Sequence, residues 1–593
     1  MYLLKELNSE QQQAVQHTEG PLLVLAGAGS GKTRVLTYRV AYLIEAKGVH
    51  PANILAITFT NKAAQEMKSR LADLLTDFRS PWVSTFHAAC ARILRREIEA
   101  LGYTRDFVIY DDADQLSLIK EGLRYFNLDE KKFTPRSIAS QIEAAKNQLL
   151  EPALYARRAR GLNEKRAAEI YTWYEKQLKE LNALDFSDLI MKTVLLLRTD
   201  AELLDYYQNK FRYILVDEYQ DTNHSQYMLV KLLADKHRNL CVVGDPDQSI
   251  YGWRGADLSN ILDFERDYPE AQVIKLEENY RSTQNILEAA NHLVNHNRSR
   301  KEKRLWTSNT KGSSLVEYTG ADERDEARFV AERILFLQRR EQRPYRDFAV
   351  FYRTHAQSRI LEEYLLRYQI PYRIIGGLRF YQRKEIKDLL AYLRLLVNPA
   401  DNISLQRIIN VPRRGIGDVT WKKVIELAAE QDLTYFAAVQ LMSGQLKEQG
   451  KTTHPIVVFS EMIESWRQIE DSQELTYLVK QVLERSGYLS ELRAENTPEA
   501  RSRIENLQEF LSVTQEFDTH GDQEEGEEEE GDLIDETEGT LARLNRFLAR
   551  IALVSDLDNY SEEEDTVVLM TLHGAKGLEF PVVFLTGLEE GVF

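Results

Sequence analysis

The chain has 593 residues, 43% of them hydrophobic and 28% charged, with a formal net charge of −17. At roughly 150 residues per domain, this length implies three to five domains with ample cores, and no apolar run approaches the ~18 residues that a membrane span requires. Cys90 and Cys241 are too few for a disulfide framework or a zinc cluster, both sit in apolar segments that read as buried, and the N-terminus lacks the apolar core of a secretion signal; a soluble, cytoplasmic protein is expected.

The first apolar run, Pro21-Leu-Leu-Val-Leu25, reads as a strand and leads through Ala26-Gly-Ala-Gly-Ser-Gly-Lys-Thr33 into a helix-like stretch. A glycine-rich turn at a helix N-terminus leaves backbone NH groups free to receive phosphate oxygens. Glycines at 27, 29 and 31 let the backbone wrap them, Lys32 reaches the terminal phosphates, and the Thr33 hydroxyl suits Mg²⁺; alanine at 26 departs from the strict pattern, which wants glycine there. Further strand-like runs follow at Ile54–Phe59, Trp82–Phe86, Tyr213–Val216, Leu240–Val243 and Val273–Leu276, with helical stretches between them. Such alternation predicts an α/β fold with a mostly parallel sheet covered by helices. From about Tyr110 to Leu195 the rhythm gives way to helical sequence, as at Ile138–Leu150 and Glu164–Leu181, and an inserted helical unit is expected.

Three strands in this first series end in chemistry. Ile214-Leu-Val-Asp-Glu-Tyr-Gln-Asp221 supplies Asp217 to hold a metal and Glu218 to orient and deprotonate an attacking water. Val242-Val-Gly-Asp-Pro-Asp-Gln-Ser-Ile-Tyr-Gly-Trp-Arg-Gly-Ala256 sets Gln248, suited to the γ-phosphate, just ahead of Tyr251, Trp253 and Arg254, groups that suit a nucleic acid strand. Leu276-Glu-Glu-Asn-Tyr-Arg-Ser-Thr283 adds Tyr280, able to cover a purine, and Arg281, an arginine finger in cis. A second β/α series is expected at Leu315-Val-Glu-Tyr318, Phe348–Tyr352 and Tyr372–Ile375, resuming at Thr566–Met570 and Val582–Leu585. The helical block between Lys384 and Glu564 holds Val411-Pro-Arg-Arg-Gly-Ile-Gly417, which reads either as a hairpin gripping duplex backbone through glycine amides or as a helix-capping turn.

Thirteen acidic residues and no Lys or Arg lie between Glu516 and Glu538, so the rest of the chain carries only −4. That tract is expected to be a disordered surface loop. Basic clusters at Lys62–Arg70, Arg92–Arg96, Lys301–Arg304 and Arg379–Lys387 leave the near-neutral body able to present a positive groove.

Together with Leu572-His-Gly-Ala-Lys-Gly-Leu-Glu-Phe580, these motifs follow one another as in superfamily 1A DNA helicases of the UvrD/PcrA/Rep type, which the chain resembles from Leu7 to its last residue. The resemblance implies two RecA-like P-loop motor domains, each with a mainly helical insertion: 1–109 with 196–280 for the first, 110–195 for its insertion, 281–383 with 565–593 for the second, and 384–564 for its insertion. It implies ATP and Mg²⁺ between the motors. Ala26, Gly27, Ala28, Gly29, Ser30, Gly31, Lys32, Thr33 and Arg34 would surround the phosphates, Gln11 would read the adenine edge, Tyr280 would stack on the base, and Glu579 would face the nucleotide. Lys32, Glu218, Gln248 and Arg281 would serve catalysis, with Thr33 and Asp217 on the metal. Single-stranded DNA would run over Phe59, Asn61, His87, Tyr251, Trp253, Arg254, Arg353, His573 and Lys576. His355 stands where the family usually has asparagine.

The implied activity is ATP-dependent 3′ to 5′ DNA unwinding in repair or replication, acting on single strands and 3′-tailed junctions, as a monomer or weak dimer without membrane. The family pattern continues past Phe593 with further strands and a second γ-phosphate arginine. The second motor is therefore expected to be incomplete, with an exposed sheet edge, and an ATP- and DNA-binding regulator that does not unwind is the alternative.

Overall fold

The computed structural model describes residues 2–75, 81–297, 301–376, 380–495, 497–520, 539–553 and 564–592. Its strands are β1 (Leu22–Ala26), β2 (Ile54–Thr58), β3 (Trp82–Thr85), β4 (Val108–Tyr110), β5 (Ala183–Asp185), β6 (Tyr213–Val216), β7 (Leu240–Gly244), β8 (Gln272–Leu276), β9 (Phe348–Tyr352), β10 (Tyr372–Ile374), β11 (Val567–Thr571) and β12 (Val582–Leu585). Six of them form one parallel sheet in the order β3-β2-β6-β7-β1-β8. Strand residues alternate between its two faces: Leu23 and Leu25 of β1 enter one apolar core, Leu22, Val24 and Ala26 the other. Burial on both faces explains why these segments read as continuous apolar runs.

Every motif of the first series lies just past the carboxyl end of one of these strands, the edge where open parallel sheets bind ligands. A second parallel sheet, β10-β11-β9-β12, is assembled from segments two hundred residues apart. One face packs on the helices Glu323–Glu341 and Ser358–Arg367; the other faces Leu572, Ala575, Leu578 and Phe580. At its edge β12 leaves Val583 and Leu585 exposed.

Leu315-Val-Glu-Tyr318 is not a strand. Leu315 and Val316 are exposed, and the alternation is satisfied locally instead: the Tyr318 ring stacks on Phe329 at 3.9 Å and its hydroxyl donates to Asp325 (2.8 Å). The acidic tract begins inside a helix, Pro498–His520, because Asp518 accepts from the NH groups of Leu475 and Thr476 (3.1 and 2.8 Å) and pairs with Arg543 (2.7 Å). Its remainder, 521–538, lies outside the described residues. Of the 411–417 segment, Gly417 caps the helix Asp418–Gln431 and Arg414 is turned inward onto the carbonyls of Ile408 (3.0 Å) and Ser486 (2.9 Å), the capping arrangement.

The helices Asp112–Tyr125, Pro135–Asn147 and Leu162–Glu180 share a core with β4 and β5, a two-stranded parallel pair that sequence reading missed. The helix Phe186–Thr199 spans residue 195 and gives Leu189, Val194 and Leu197 to the first sheet's core. The helical residues from Lys384 to Leu553 surround a separate core. They are fastened to the first insertion by Lys387–Asp111 (2.7 Å), Arg394–Asp114 (2.6 Å) and Tyr110, whose hydroxyl donates to Asp401 (2.8 Å).

Beneath β5 lies a buried charge network. Lys146, fully buried, pairs with Glu175 (2.5 Å), Asp185 (2.7 Å) and Asp188 (2.8 Å), and burial followed by the neighbouring carboxylates pushes the Asp188 pKa up. Replacing Lys146 by methionine leaves Asp185 without its lysine and Glu175 and Asp188 with Lys192 alone (2.5 and 3.7 Å), and equilibrium denaturation is expected to show a loss of about 3–5 kcal/mol at pH 7. The deficit should shrink as pH falls, because the folded carboxylates then take up protons before the unfolded ones do.

Candidate nucleotide and DNA site

The phosphate loop runs from β1 into the helix Lys32–Glu45, and Gly31 caps that helix with φ of 86°, a left-handed conformation that favours glycine. Ser30 donates from Oγ to the Gly27 carbonyl (2.8 Å), and Leu305 packs so closely over Gly27 that a β-carbon there would lie 2.2 Å from its Cδ2. Lys32 points across to the end of β6, pairing with Glu218 at 2.8 Å and donating to Gln248 Oε1 at 3.5 Å. Burial pulls the Lys32 pKa down, but the charges of Glu218 and then Asp217 outweigh it and the net direction is up. Glu218 is pushed up by burial yet held well below the usual range by Lys32 and Lys576, whereas Asp217 is raised, by burial first and Glu218 second.

Glu218 occupies the left-handed region at φ 48°, where a non-glycine residue costs about 1–3 kcal/mol. Gln220, fully buried, bridges this turn to the next: its amide donates to Glu218 while its Oε1 accepts from the Asp245 NH (2.9 Å). Gln248 in turn donates to Asp245 (2.6 Å).

Beside the phosphate loop, Asn8 and Gln11 form a capping box, and Gln11 Nε2 donates to the Ser30 carbonyl (3.1 Å). Tyr280, half exposed, accepts from Asn8 Nδ2 (2.8 Å), donates to Glu278 (2.6 Å), and its backbone NH bonds to the Gly29 carbonyl (2.9 Å). Asn279 completes the join to the phosphate loop by donating to the Ala28 carbonyl (2.6 Å). Arg34 faces Glu6 (3.1 Å), and Arg281 pairs with Glu579 from the second sheet's segment.

A second group of side chains gathers a short distance along. Trp253 is 65% exposed, with the Arg254 guanidinium 4.7 Å from its ring centre and His573 edge-on at 5.9 Å. The Tyr251 hydroxyl donates to the His573 carbonyl (3.2 Å), and Arg353 donates to His573 Nδ1 (2.9 Å). Burial, then Arg353 and Arg254, lower the His573 pKa, and the ring nitrogen facing Arg353 accepts because a guanidinium can only donate. Lys576 spans from this group to the end of β6: its Nζ lies 5.2 Å from the Tyr251 ring centre and reaches Asp221, the Gln248 carbonyl (2.8 Å) and Glu218 (3.7 Å). Phe59 lies edge-on to Phe86 (5.6 Å), His87 to Phe186 (5.8 Å), and Asn61 donates to the Leu553 carbonyl (2.7 Å); these three sit at the ends of β2 and β3, outside the Trp253 group.

The basic clusters are largely satisfied within the fold. Lys303 pairs with Asp245 and Asp247, Lys301 with Glu265, Arg92 lies over Trp82 (4.0 Å) and Arg95 over Phe107 (3.8 Å). Gln220, Asn279 and Leu305 had gone without assigned roles. The first two stand inside motifs and were legible as buried amides; Leu305, in a basic stretch, gave no signal.

Two parallel sheets with a phosphate loop and an arginine-bearing turn facing a segment of the other sheet define a P-loop motor with two RecA-like domains. The UvrD/REP helicase N-terminal domain model matches residues 7–269 and the UvrD-like helicase C-terminal domain model residues 274–593, so the chain belongs to the UvrD/REP helicase family. Among its relatives, the ATP-dependent DNA helicase PcrA of Bacillus subtilis is 50% identical over 598 residues, covering 100% of this chain and 78% of that protein. PcrA of Staphylococcus aureus is 50% identical over 595 residues (100% and 78%), and that of Staphylococcus epidermidis 50% over 594 (100% and 79%). Among the described residues no helix is long and apolar enough to cross a membrane.

Burial lowers the His87 pKa to about 4. Above pH 6.5 the ring is neutral in both folded and unfolded chains; as pH falls from 6.5 toward 4 the unfolded chain binds the proton more readily, so this site's contribution to stability is lost on acidification. An NMR titration should place the His87 midpoint near 4, and His87→Phe should flatten the stability profile across that window.

Proposed function

We propose that this chain is an ATP-driven DNA helicase and translocase that moves 3′ to 5′ along single-stranded DNA and opens 3′-tailed junctions during repair or replication in the cytoplasm, as a monomer or weak dimer. One observation carries the reading: the segment Thr571–Glu579 touches both sites at once, with His573 against Trp253 and Tyr251, Lys576 on Asp221 and Glu579 on Arg281. Movement of the second motor against the first therefore changes the DNA-reading and nucleotide-reading contacts together. The boundaries 1–109 with 196–280, 110–195, 281–383 with 565–593, and 384–564 describe the units that would move.

In this reading ATP phosphates take Lys32 from Glu218. Phosphate oxygens offer the lysine charge-assisted hydrogen bonds that replace the ion pair, and the freed Glu218 orients and deprotonates water. Gln248 and Arg281 stabilise the charge that builds on the transferring phosphoryl group, Tyr280 packs on the base, and Gln11 reads it after releasing the Ser30 carbonyl. The Thr33 hydroxyl and Asp217 suit Mg²⁺, which takes one or two protein oxygens alongside phosphates and waters. Asp217 fits the part because its buried carboxylate, raised by burial and by Glu218, lacks an adequate counter-charge. Held by Thr33 and Asp217, such an ion would supply positive charge against the negative charge that builds on the phosphates. Trp253 offers a base-stacking face, Arg254 and Arg353 phosphate contacts, and Phe59, Asn61 and His87 extend the track along the first sheet. Lys576 serves the seam between motors.

A DNA- and nucleotide-binding regulator that does not unwind is the weaker reading, because Lys32, Glu218, Gln248 and Arg281 are all held around one loop. ATP turnover with and without a thymidine oligonucleotide tests the choice. Stimulation by DNA is expected, with Glu218→Gln lowering turnover by about 100-fold or more while still binding nucleotide. Trp253→Ala should weaken single-strand binding by about 1–3 kcal/mol, the usual worth of one stacked base. Unwinding of a 5′-tailed duplex in preference to a 3′-tailed one would refute the direction.

A further inference from the structure

The helix Pro135–Asn147 of the first insertion ends between the two functional turns. Lys146, clamped by Glu175, Asp185 and Asp188, fixes that end in the insertion's interior. The next residue, Asn147, accepts a hydrogen bond at Oδ1 from Asn223 Nδ2 (3.1 Å), and its Nδ2 lies 3.6 Å from where a β-carbon on Gly255 would be. Asn223 follows Asp221 by two residues and caps the helix His224–Ala234, its own Oδ1 accepting from the Gln226 NH (2.9 Å) and the Ser225 hydroxyl (2.8 Å). Gly255, at φ 85°, closes the turn that presents Trp253 and Arg254.

The same helix reaches the DNA-reading turn a second way. Glu143, one turn before Asn147 and on the same face, lies within electrostatic reach of Arg254. The two turns are also joined directly, since the Asp257 NH and Asn260 Nδ2 both donate to the Thr222 carbonyl (2.9 and 3.0 Å). A displacement of the Trp253–Gly255 turn by a bound strand is thus made against a fixed amide that also holds the cap beyond Glu218 and Asp221.

We propose that Asn147 is a positioning residue that couples DNA occupancy at Trp253 and Arg254 to the catalytic setting of Glu218, through its hydrogen bond to Asn223. The inference rests on the reading of the chain as a DNA-stimulated ATPase. Asn147 touches neither ligand; it supplies a fixed point against which the two turns move together.

The test compares ATP turnover of the wild-type chain, Asn147→Ala, Asn147→Asp, Asn223→Ser and the Asn147→Ala/Asn223→Ser double variant, with and without saturating thymidine oligonucleotide. Serine at 223 keeps a capping oxygen but lacks the amide donor. Turnover without DNA should stay within about twofold of wild type, the spread expected of changes remote from the chemistry. DNA-stimulated kcat should fall by roughly fivefold or more in Asn147→Ala and in Asn223→Ser, with KM for ATP unchanged, a factor at the lower end of coupling between sites. The double variant should be no worse than either single change, and Asn147→Asp, which keeps the acceptor oxygen, should recover stimulation. Stimulation of all variants to the wild-type level, equal losses with and without DNA, or multiplicative losses in the double variant would each overturn the proposal. Should Asn147→Ala melt below the assay temperature, Asn223→Ser decides by the same criteria. A wild-type chain that DNA does not stimulate removes the underlying reading; a stimulated wild type with equally stimulated variants removes this inference alone.

Discussion

Three carboxylates crowd the end of β6, and the arrangement of the two motors follows from how their charge is balanced. Asp217, Glu218 and Asp221 fall within five residues, all largely withdrawn from water, where like charges repel strongly and unpaired ones are costly. Two lysines answer them from opposite directions. Lys32 comes from the phosphate loop of the same sheet; Lys576 comes from the segment after β11 in the other. Ion pairs thus cross the seam between the motors at Lys576–Asp221 and Arg281–Glu579.

The Arg281–Glu579 pair obeys the same logic at the outer end of the seam. Being largely exposed, it contributes little to stability, since the median surface ion pair is worth about 0–1 kcal/mol. Lys146 and its three carboxylates are the opposite case: that network is sealed, expensive to break and rigid, and the helix it anchors ends against both functional turns. An exposed, weak pair therefore lies at the outer end of the seam, and buried, costly ones inside the first insertion.

Much of the first sheet was legible before any coordinates, because strands buried on both faces are continuous apolar runs ending in punctuated turns, as with Leu22–Ala26 before the glycine loop and Leu240–Gly244 before Asp245. Leu315–Tyr318 misled for the converse reason: alternation marks a strand only if a neighbouring strand presents its hydrogen-bonding edge, and here Tyr318 found Phe329 instead. The basic clusters show a related limit, since a lysine such as Lys303 reads the same in sequence whether it faces solvent or Asp245. β4 and β5, three residues each, were too short for any periodicity to register.

The sequence by itself determined the family and which residues are candidates for its chemistry, because phosphate binding, water activation and base stacking demand particular functional groups at fixed spacings along a strand and its following turn. Tertiary structure alone decided who faces whom. Lys576 reaches Asp221 across the Tyr251 ring, Gln11 is spent on Ser30 in this state, and Asn147 meets Asn223 from a different unit of the chain. Spacing along a turn is local and is written in neighbouring residues. Contacts between separate segments depend on how whole sheets and insertions pack, and that is settled by the summed burial of many side chains, none of which names its partner.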